Sequence, residues 1–393
     1  GGVDTLNDIF MHMCFSKTHI LSPTGDARPF SKDADGTVLG EGIGILIFKR
    51  LEDAEKDGDK IYAVIRGIGS SSDGKSQSIY APRLEGQAKA LKMAYERAGV
   101  APSSVTNIET HGTGTQVGDR VEFNALCQVF GNETSNGQKY AIGSVKSMIG
   151  HTKAAAGAAG LIKTALSLHH KIIPPTLKAE NPDPELGIDK SPFYLNPQSR
   201  PWFSNEKSPR RSGVSSFGFG GSNFHVVLEE YQSQKAEIAW DGTVEIVALS
   251  APSRDGLNQK LLQFKNRIAN GATAYNFAAA AAETRQDFSH RDAQRLLWVF
   301  DRKSIPAEIG YDRLVQELRM PGDSHSASLW NRGNLFYGGP QRPGKLAFIF
   351  PGQGSQYPGM GHDLVCFFPE AFKVLQTADS IFGSTERLSD YIY

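Results

Sequence analysis

The feature that most constrains this chain is a pattern that occurs twice: a short apolar run, a glycine-rich turn bearing a histidine, then a helical segment. Residues 105–109 read as a strand, His111 to Thr115 (HGTGT) as the turn and 118–130 as an amphipathic helix. Residues 140–144 form the next strand, Lys146, Gly150 and His151 occupy the next turn, and an Ala- and Gly-rich helix runs to about Leu168. Strand, turn and helix repeated in this way imply a layered α/β domain. Turns at the strand ends of such sheets are where these folds build their sites, and glycine lets backbone come close to a ligand. A lone histidine in a turn is more often structural; two at equivalent turns, with the cation Lys146 beside the second, point to chemistry.

The same alternation extends on both sides. Residues 42–48 and 61–68 read as strands around a charged segment at 50–60, and 84–98 place Ala88, Leu91, Ala94 and Tyr95 at helical spacing before the stop at Gly99. Seven prolines between Lys171 and Trp202 predict an extended stretch over the surface. The domain closes with the glycine-rich run from Val214 to Asn223 and a strand at 224–228. From Gln232 the chain turns more polar and alanine-rich, with strands at 244–249 and 296–300, which reads as a separate small domain. A linker at 338–344 then leads into a new strand at 345–350. The expected boundaries are 1–231, 232–344 and 345–393.

Composition excludes several classes. Lys plus Arg and Asp plus Glu are both 42, so no net field draws the chain to nucleic acid or an anionic membrane. Cys14, Cys127 and Cys366 are far apart with no CxxC, which excludes a disulfide framework and a zinc site and suits a reducing cytoplasm. Each reads as a small buried hydrophobe. The stretch 154–162 lies between Lys153 and Lys163, far short of the roughly 20 apolar residues that a membrane span needs, so it reads as a core helix. The opening lacks the regions of a signal peptide, and the chain is expected to begin inside a domain.

Three segments carry a resemblance: Glu109 to Thr115 (ETHGTGT), Gly143 to His151 (GSVKSMIGH) and Ser216 to Asn223 (SFGFGGSN). In order and spacing they resemble the motifs of beta-ketoacyl synthases, over residues 1 to about 231. Phe15 to Lys17, Leu21 to Gly25, Ala34 to Gly36 and Gly40 to Gly42 look like that family too. Phe350 to Gln356 (FPGQGSQ) resembles the opening of malonyl- and acyltransferase domains. The order ketosynthase, linker, acyltransferase is that of type I synthases. Within them Gly2 to Asp8, Met11 to Phe15 and Ile79 to Pro82 look most like the first subunit of polyunsaturated fatty acid synthases.

The resemblance implies a thiolase-like layered α/β/α/β/α fold lacking its N-terminal part, a small α/β linker domain and the first strand of an α/β-hydrolase-like acyltransferase. It also implies a decarboxylative Claisen condensation. An acyl chain is held as a thioester on cysteine, malonyl on a carrier protein loses carbon dioxide, and the carbanion attacks the acyl carbon. His111 and His151 would be neutral imidazoles donating to the malonyl thioester oxygen, and the division of labour between them stays open. Lys146 would set protonation states and orientation, with Glu122 as its acidic partner or, alternatively, as a solvated helix carboxylate. Thr113 and Thr115 would bind the phosphopantetheine arm. Phe217 and Phe219 alternate with glycines, and a strand would bury such aromatics as plain core; the resemblance implies instead that Phe217 contacts the substrate and that Phe219 gates the acyl pocket and lends its N–H to the acyl oxyanion, with Asn223 in support. Gln353 would serve the acyltransferase oxyanion.

By the same resemblance the nucleophilic cysteine is expected a few tens of residues before Gly1, so this stretch alone should not elongate a chain. Expected partners are acyl carrier protein domains, malonyl and acyl thioesters, and a second copy through the ketosynthase; no metal or bound cofactor is expected. A degradative thiolase would carry a further cysteine in the C-terminal motif, where 218–223 has none. A non-catalytic, ketosynthase-like scaffold or chain-length subunit is the other alternative, and retention of His111, Lys146 and His151 speaks against it.

Overall fold

The computed structural model describes residues 1–75, 81–131, 139–204, 208–232, 235, 244–269, 274–301, 329–340, 345, 347–382 and 387–393, without the side chains of 269, 274–276 and 329–332. Ile79, Tyr80 and most of the expected linker, 341–344, therefore lie outside the described residues. By internal contacts the chain divides into two compact units, Gly1–Ile238 with Gly354–Tyr393, and Ala239–Gln353.

In the first unit β1 (Gly2–Asp4) pairs antiparallel with β2 (Gly42–Gly44); α1 (Ile9–Lys17) lies between them in sequence and α2 (Leu51–Asp57) follows. There follow β3 (Val64–Ser72), α3 (Leu84–Ala98), β4 (Asn107–Glu109), α4 (Gln116–Phe130), β5 (Tyr140–Gly143), α5 (Lys146–Ile149) and α6 (Ala156–His170). The proline-rich stretch holds β6 (Ile172–Ile173), β7 (Phe193–Leu195) and β8 (Arg200–Pro201), and the hairpin β9 (Arg211–Gly218) and β10 (Ser222–Glu229) closes the sheet. The six-stranded sheet runs β3-β10-β9-β4-β5-β7. Its centre is parallel, β9 to β4, β4 to β5 and β5 to β7, while β10 is antiparallel to both its neighbours.

Strand alternation sorts side chains between the two faces. Tyr140 and Ile142 meet Leu91 and Tyr95 of α3 and Phe123 and Leu126 of α4 in one core. Ala141 between them joins Leu168 of α6, Trp202, Val214 and Leu228 in another. Helices thus cover both faces, as buried parallel strands require. Helix α3 lies close on β3 because Gly69 has no side chain: a Cβ there would sit 2.0 Å from the Ala90 carbonyl oxygen. The expected helix bounds at 84–98 match those observed, and Gly99, at φ +65, provides the left-handed C-cap.

The second unit is a four-stranded antiparallel sheet, β11 (Val244–Ala251), β12 (Gln294–Asp301), β13 (Leu329–Arg332) and β14 (Leu335–Gly338), in the order β11-β12-β14-β13. Helices α7 (Arg254–Ala269) and α8 (Ala274–Gln286) contribute Leu257, Leu261, Phe264 and Phe277 to a core with Val247, Leu249, Leu296 and Trp298. Three further helices, α9 (His362–Phe367), α10 (Pro369–Phe382) and α11 (Leu388–Ile392), belong to the first unit, where Phe372 stacks on Phe203 at 4.7 Å between ring centroids.

Several expectations are corrected. The strand expected at 42–48 stops at Gly44, because β1 offers only three partners; Ile45, Ile47 and Phe48 are exposed. The strand expected at 61–68 forms at Val64–Ser72, in register with β10. Residues 347–350 form no strand, and Phe348, Ile349 and Phe350 are exposed: among the described residues no strand pairs with them, and unpaired backbone gains nothing from extension. Cys366 is buried and Cys127 half-buried, but Cys14 is exposed, since α1 buries none of its residues. Among the described residues no helix is long and apolar enough to cross a membrane, and no cluster of His, Cys, Asp and Glu is suited to a metal ion.

Candidate active site

The two histidine turns lie at the C-terminal ends of neighbouring parallel strands, His111 after β4 and His151 beyond β5 and α5. Their rings meet edge to face with centroids 5.4 Å apart. Both line a cavity of about 1540 Å³, together with Thr113, Thr115, Glu122, Phe217, Phe219 and Asn223. One cleft therefore collects eight of the residues singled out from sequence.

The first turn hangs from two carboxylates on α4. Glu122 accepts the His111 N–H on Oε1 at 2.7 Å and the Gly112 N–H on Oε2 at 2.8 Å. Asp119 accepts the Thr113 and Gly114 N–H groups on Oδ1 at 3.0 and 3.3 Å and that of Phe30 on Oδ2 at 2.8 Å. Both are buried, so the solvated alternative for Glu122 is overturned: a turn with four inward N–H groups needs acceptors, and these are they. Burial pushes Asp119 up to about 7 against the pull of those N–H groups, and raises Glu122 likewise.

Lys146, 4 % exposed, starts α5 behind the cleft lining and donates from Nζ to the His111 carbonyl. Burial lowers its pKa; the carboxylates of Glu109, Glu122 and Asp119 oppose that shift by favouring the ammonium. Glu109 in turn accepts the Val145 N–H at 2.6 Å and pairs with Lys163 at 2.7 Å. Sequence reasoning missed Asp119, Glu109 and Lys163. The available signal was their adjacency to the two motifs, Glu109 two residues before His111 and Lys163 twelve after His151.

His151 is held on its other side by the N-terminal segment. Its N–H donates to the Val38 carbonyl at 2.6 Å and its carbonyl accepts the Gly40 N–H at 3.0 Å. A Cβ on Gly40 would lie 2.1 Å from the Ile149 oxygen, so only glycine allows this approach. Nδ1 of His151 accepts the Lys153 N–H at 3.0 Å, which leaves the proton of the neutral ring on Nε2. Burial, then the charges of Lys146 and Lys153, bring the His151 pKa down to about 3. Burial, then Lys146 and His151, hold His111 well below the ordinary imidazole range. At neutral pH both rings are uncharged hydrogen-bond donors.

The remaining residues shape the cleft. Thr113 and Thr115 share a hydrogen bond between their hydroxyls at 2.8 Å. The buried Phe217 ring lies 5.8 Å from His111, whereas Phe219, on the β9–β10 turn, is 57 % exposed and packs near Phe15 at 6.1 Å. Asn223, on the cleft lining, donates to Asp73 at 2.7 Å and so fastens the β9–β10 turn to the end of β3. Cys14, on exposed α1, also lines the cleft. Gln353 belongs to the second unit, in an exposed turn. Two neutral donors backed by a buried cation, in a large cleft, can stabilise negative charge developing on one substrate oxygen.

The sequence matches the families described as "Beta-ketoacyl synthase, N-terminal domain" over residues 1–54, "Beta-ketoacyl synthase, C-terminal domain" over 62–180 and "Ketoacyl-synthetase C-terminal extension" over 182–294. It is 37 % identical over 427 residues to a polyunsaturated fatty acid synthase subunit from Thraustochytrium sp., a match that covers 100 % of this chain and 15 % of that protein. It is 35 % identical over 374 residues to polyketide synthase GfsA of Streptomyces halstedii, covering 94 % of this chain and 5 % of that one. Among solved structures, the ketosynthase from module 6 of the bacillaene synthase of Bacillus subtilis 168 superposes with a TM-score of 0.56 at 34 % identity, covering 86 % of this chain and 56 % of that one. The chain thus spans about half of that ketosynthase and a small part of each curated relative.

Proposed function

Since the chain belongs to the beta-ketoacyl synthase family, with its thiolase-like layered α/β fold, we propose that it is part of a multidomain synthase whose ketosynthase performs decarboxylative Claisen condensation. The substrates are an acyl chain held on a cysteine outside the present sequence and malonyl on the phosphopantetheine of an acyl carrier protein. The observation that carries the proposal is the convergence of two neutral imidazoles, His111 and His151, at 5.4 Å in one cleft with Lys146 behind them.

In this reading the imidazole N–H groups stabilise the enolate oxygen as carbon dioxide leaves, and the hydroxyls of Thr113 and Thr115 bind the pantetheine amides. Phe217 and Phe219 bound the acyl pocket. Lys146 supplies positive potential and fixes the first turn through the His111 carbonyl. The likeness to a polyunsaturated fatty acid synthase over the whole chain supports an acyl product of that class. Residues 1–231 are the ketosynthase portion, 232–344 the linker domain and 345–393 the start of an acyltransferase, in which Gln353 serves the oxyanion.

The complete synthase, given acyl and malonyl thioesters on carrier protein, is expected to release carbon dioxide and β-ketoacyl product in equal amounts. His111→Ala and His151→Ala should each lower product formation by about 10²–10³. Undiminished product from both variants would overturn the proposal.

A further inference from the structure

The turn that presents His151 contains a residue in an unfavourable conformation. Lys153 has φ +45, the left-handed region that an L-residue avoids. Its backbone N–H is the group that donates to His151 Nδ1 at 3.0 Å.

The side chain of Lys153 folds back onto the N-terminal segment. Nζ lies 3.0 Å from Asp4 Oδ1 and donates to Asn7 Oδ1 at 2.5 Å and to the Gly40 carbonyl at 3.3 Å. Asp4 Oδ2 also accepts the Ala154 N–H at 3.2 Å. The ion pair is largely shielded, with Lys153 and Asp4 side chains 12 % and 13 % exposed, so it is stronger than a surface pair. The strand carrying Asp4 reaches this turn because Gly2 has no side chain: a Cβ there would lie 2.5 Å from the Ala154 oxygen.

We propose that the Asp4–Lys153 ion pair is a positioning device that holds Lys153 in the left-handed conformation, so that its N–H fixes the His151 tautomer with the proton on Nε2. Resting on the function proposed above, this makes Asp4 and Lys153 positioning residues for the condensation. They touch no substrate. They decide which ring nitrogen of His151 has a proton to donate. The tautomer itself is a property of this chain and can be read without any reaction.

The test is the 15N spectrum of the chain labelled in its histidines, with the His151 signals identified by their loss in His151→Gln. The wild type should show a pyridine-type Nδ1 and a pyrrole-type Nε2. Lys153→Ala keeps the N–H but loses the tether and must still adopt positive φ; the Nδ1-protonated form of His151 should rise about tenfold. Lys153→Gly loses the same tether, yet glycine takes that φ freely, so its spectrum should stay close to wild type. Asp4→Asn removes the anion, leaves Lys153 in place and should shift the ratio in the direction of the Ala variant, which decides the matter if Lys153→Ala does not fold. A wild-type ratio in both Lys153→Ala and Asp4→Asn, or an equal shift in the Ala and Gly variants, would overturn the proposal. Condensation activity is not part of the readout, so failure of the proposed reaction and failure of the positioning device give different results.

Discussion

Replacing Glu122 by Gln changes one oxygen to an amino group and little else in shape, and the geometry around it sets the cost. The carboxylate accepts the His111 N–H on one oxygen and the Gly112 N–H on the other. An amide can accept only one of them and points donors at the second, at a site 2 % exposed to water. A buried donor left without its acceptor costs about 1–3 kcal/mol, and exchanging a charged for a neutral acceptor on the remaining bond costs about 1 kcal/mol more. The sum, roughly 2–4 kcal/mol, falls on the turn that carries His111, and Lys146 loses one of its three flanking carboxylates. Because the chain has two compact units, a single unfolding midpoint would blend them. Hydrogen exchange of a peptide spanning 109–115 reads the turn directly. Exchange there should speed up by roughly 30- to 1000-fold, while a peptide from β10 keeps its protection. Phe123→Leu, one residue along α4 and buried in the core, should act mildly through packing, costing about 1 kcal/mol. Unchanged exchange at 109–115 in Glu122→Gln would refute the claim that this carboxylate suspends the turn.

Two further outcomes follow from burial. His225 is fully buried between Ser215 and Tyr95, and burial brings its pKa down to about 3 from 6.5. Its contribution is fully present above the unfolded value and is lost as pH falls toward the folded one. The stability advantage of wild type over His225→Gln, measured by urea unfolding of the first unit, should therefore shrink by about 2 kcal/mol from pH 7 to pH 5; a constant difference would contradict the burial argument. Alkylation of the folded chain, followed by peptide mass mapping, should modify exposed Cys14 first and buried Cys366 last: burial raises the Cys127 and Cys366 thiols alike to about 11, and of the two Cys366 is the less accessible. The reverse order would contradict the exposed placement of α1.

The site was legible where chemistry and local geometry coincide in a short segment. The HGTGT and GSVKSMIGH runs name a turn, its glycines and its donors together, and the fold brings them to adjacent strand ends. Helix α3 was legible for the same reason, its apolar period and its stop at Gly99 being local. What sequence did not show depends on partners distant along the chain. Glu122 stays open between an acidic partner for Lys146 and a solvated helix carboxylate until the His111 turn is placed above it. Asn223 donates to Asp73, 150 residues away, a partner that no local pattern names. The apolar runs at 42–48 and 345–350 look like strands, but extension is stabilised only by paired neighbours, and β1 pairs with three of the first set while no described strand pairs with the second. Cys14 sits among apolar residues that suggest burial, yet among the described residues nothing covers helix α1 deeply enough to bury any of its residues.

In the proposed condensation His111 and His151 act on charge developing during decarboxylation and not on the cysteine that holds the acyl chain. This is tested most directly in the complete synthase by measuring radiolabelled acyl transfer to the cysteine and condensation product separately for wild type, His111→Ala and His151→Ala. Each variant should keep part of its acyl transfer while condensation falls by about 10²–10³, a loss of roughly 3–4 kcal/mol in transition-state stabilisation. Acyl transfer lost as completely as condensation in both variants would place the histidines on the nucleophile and contradict the account.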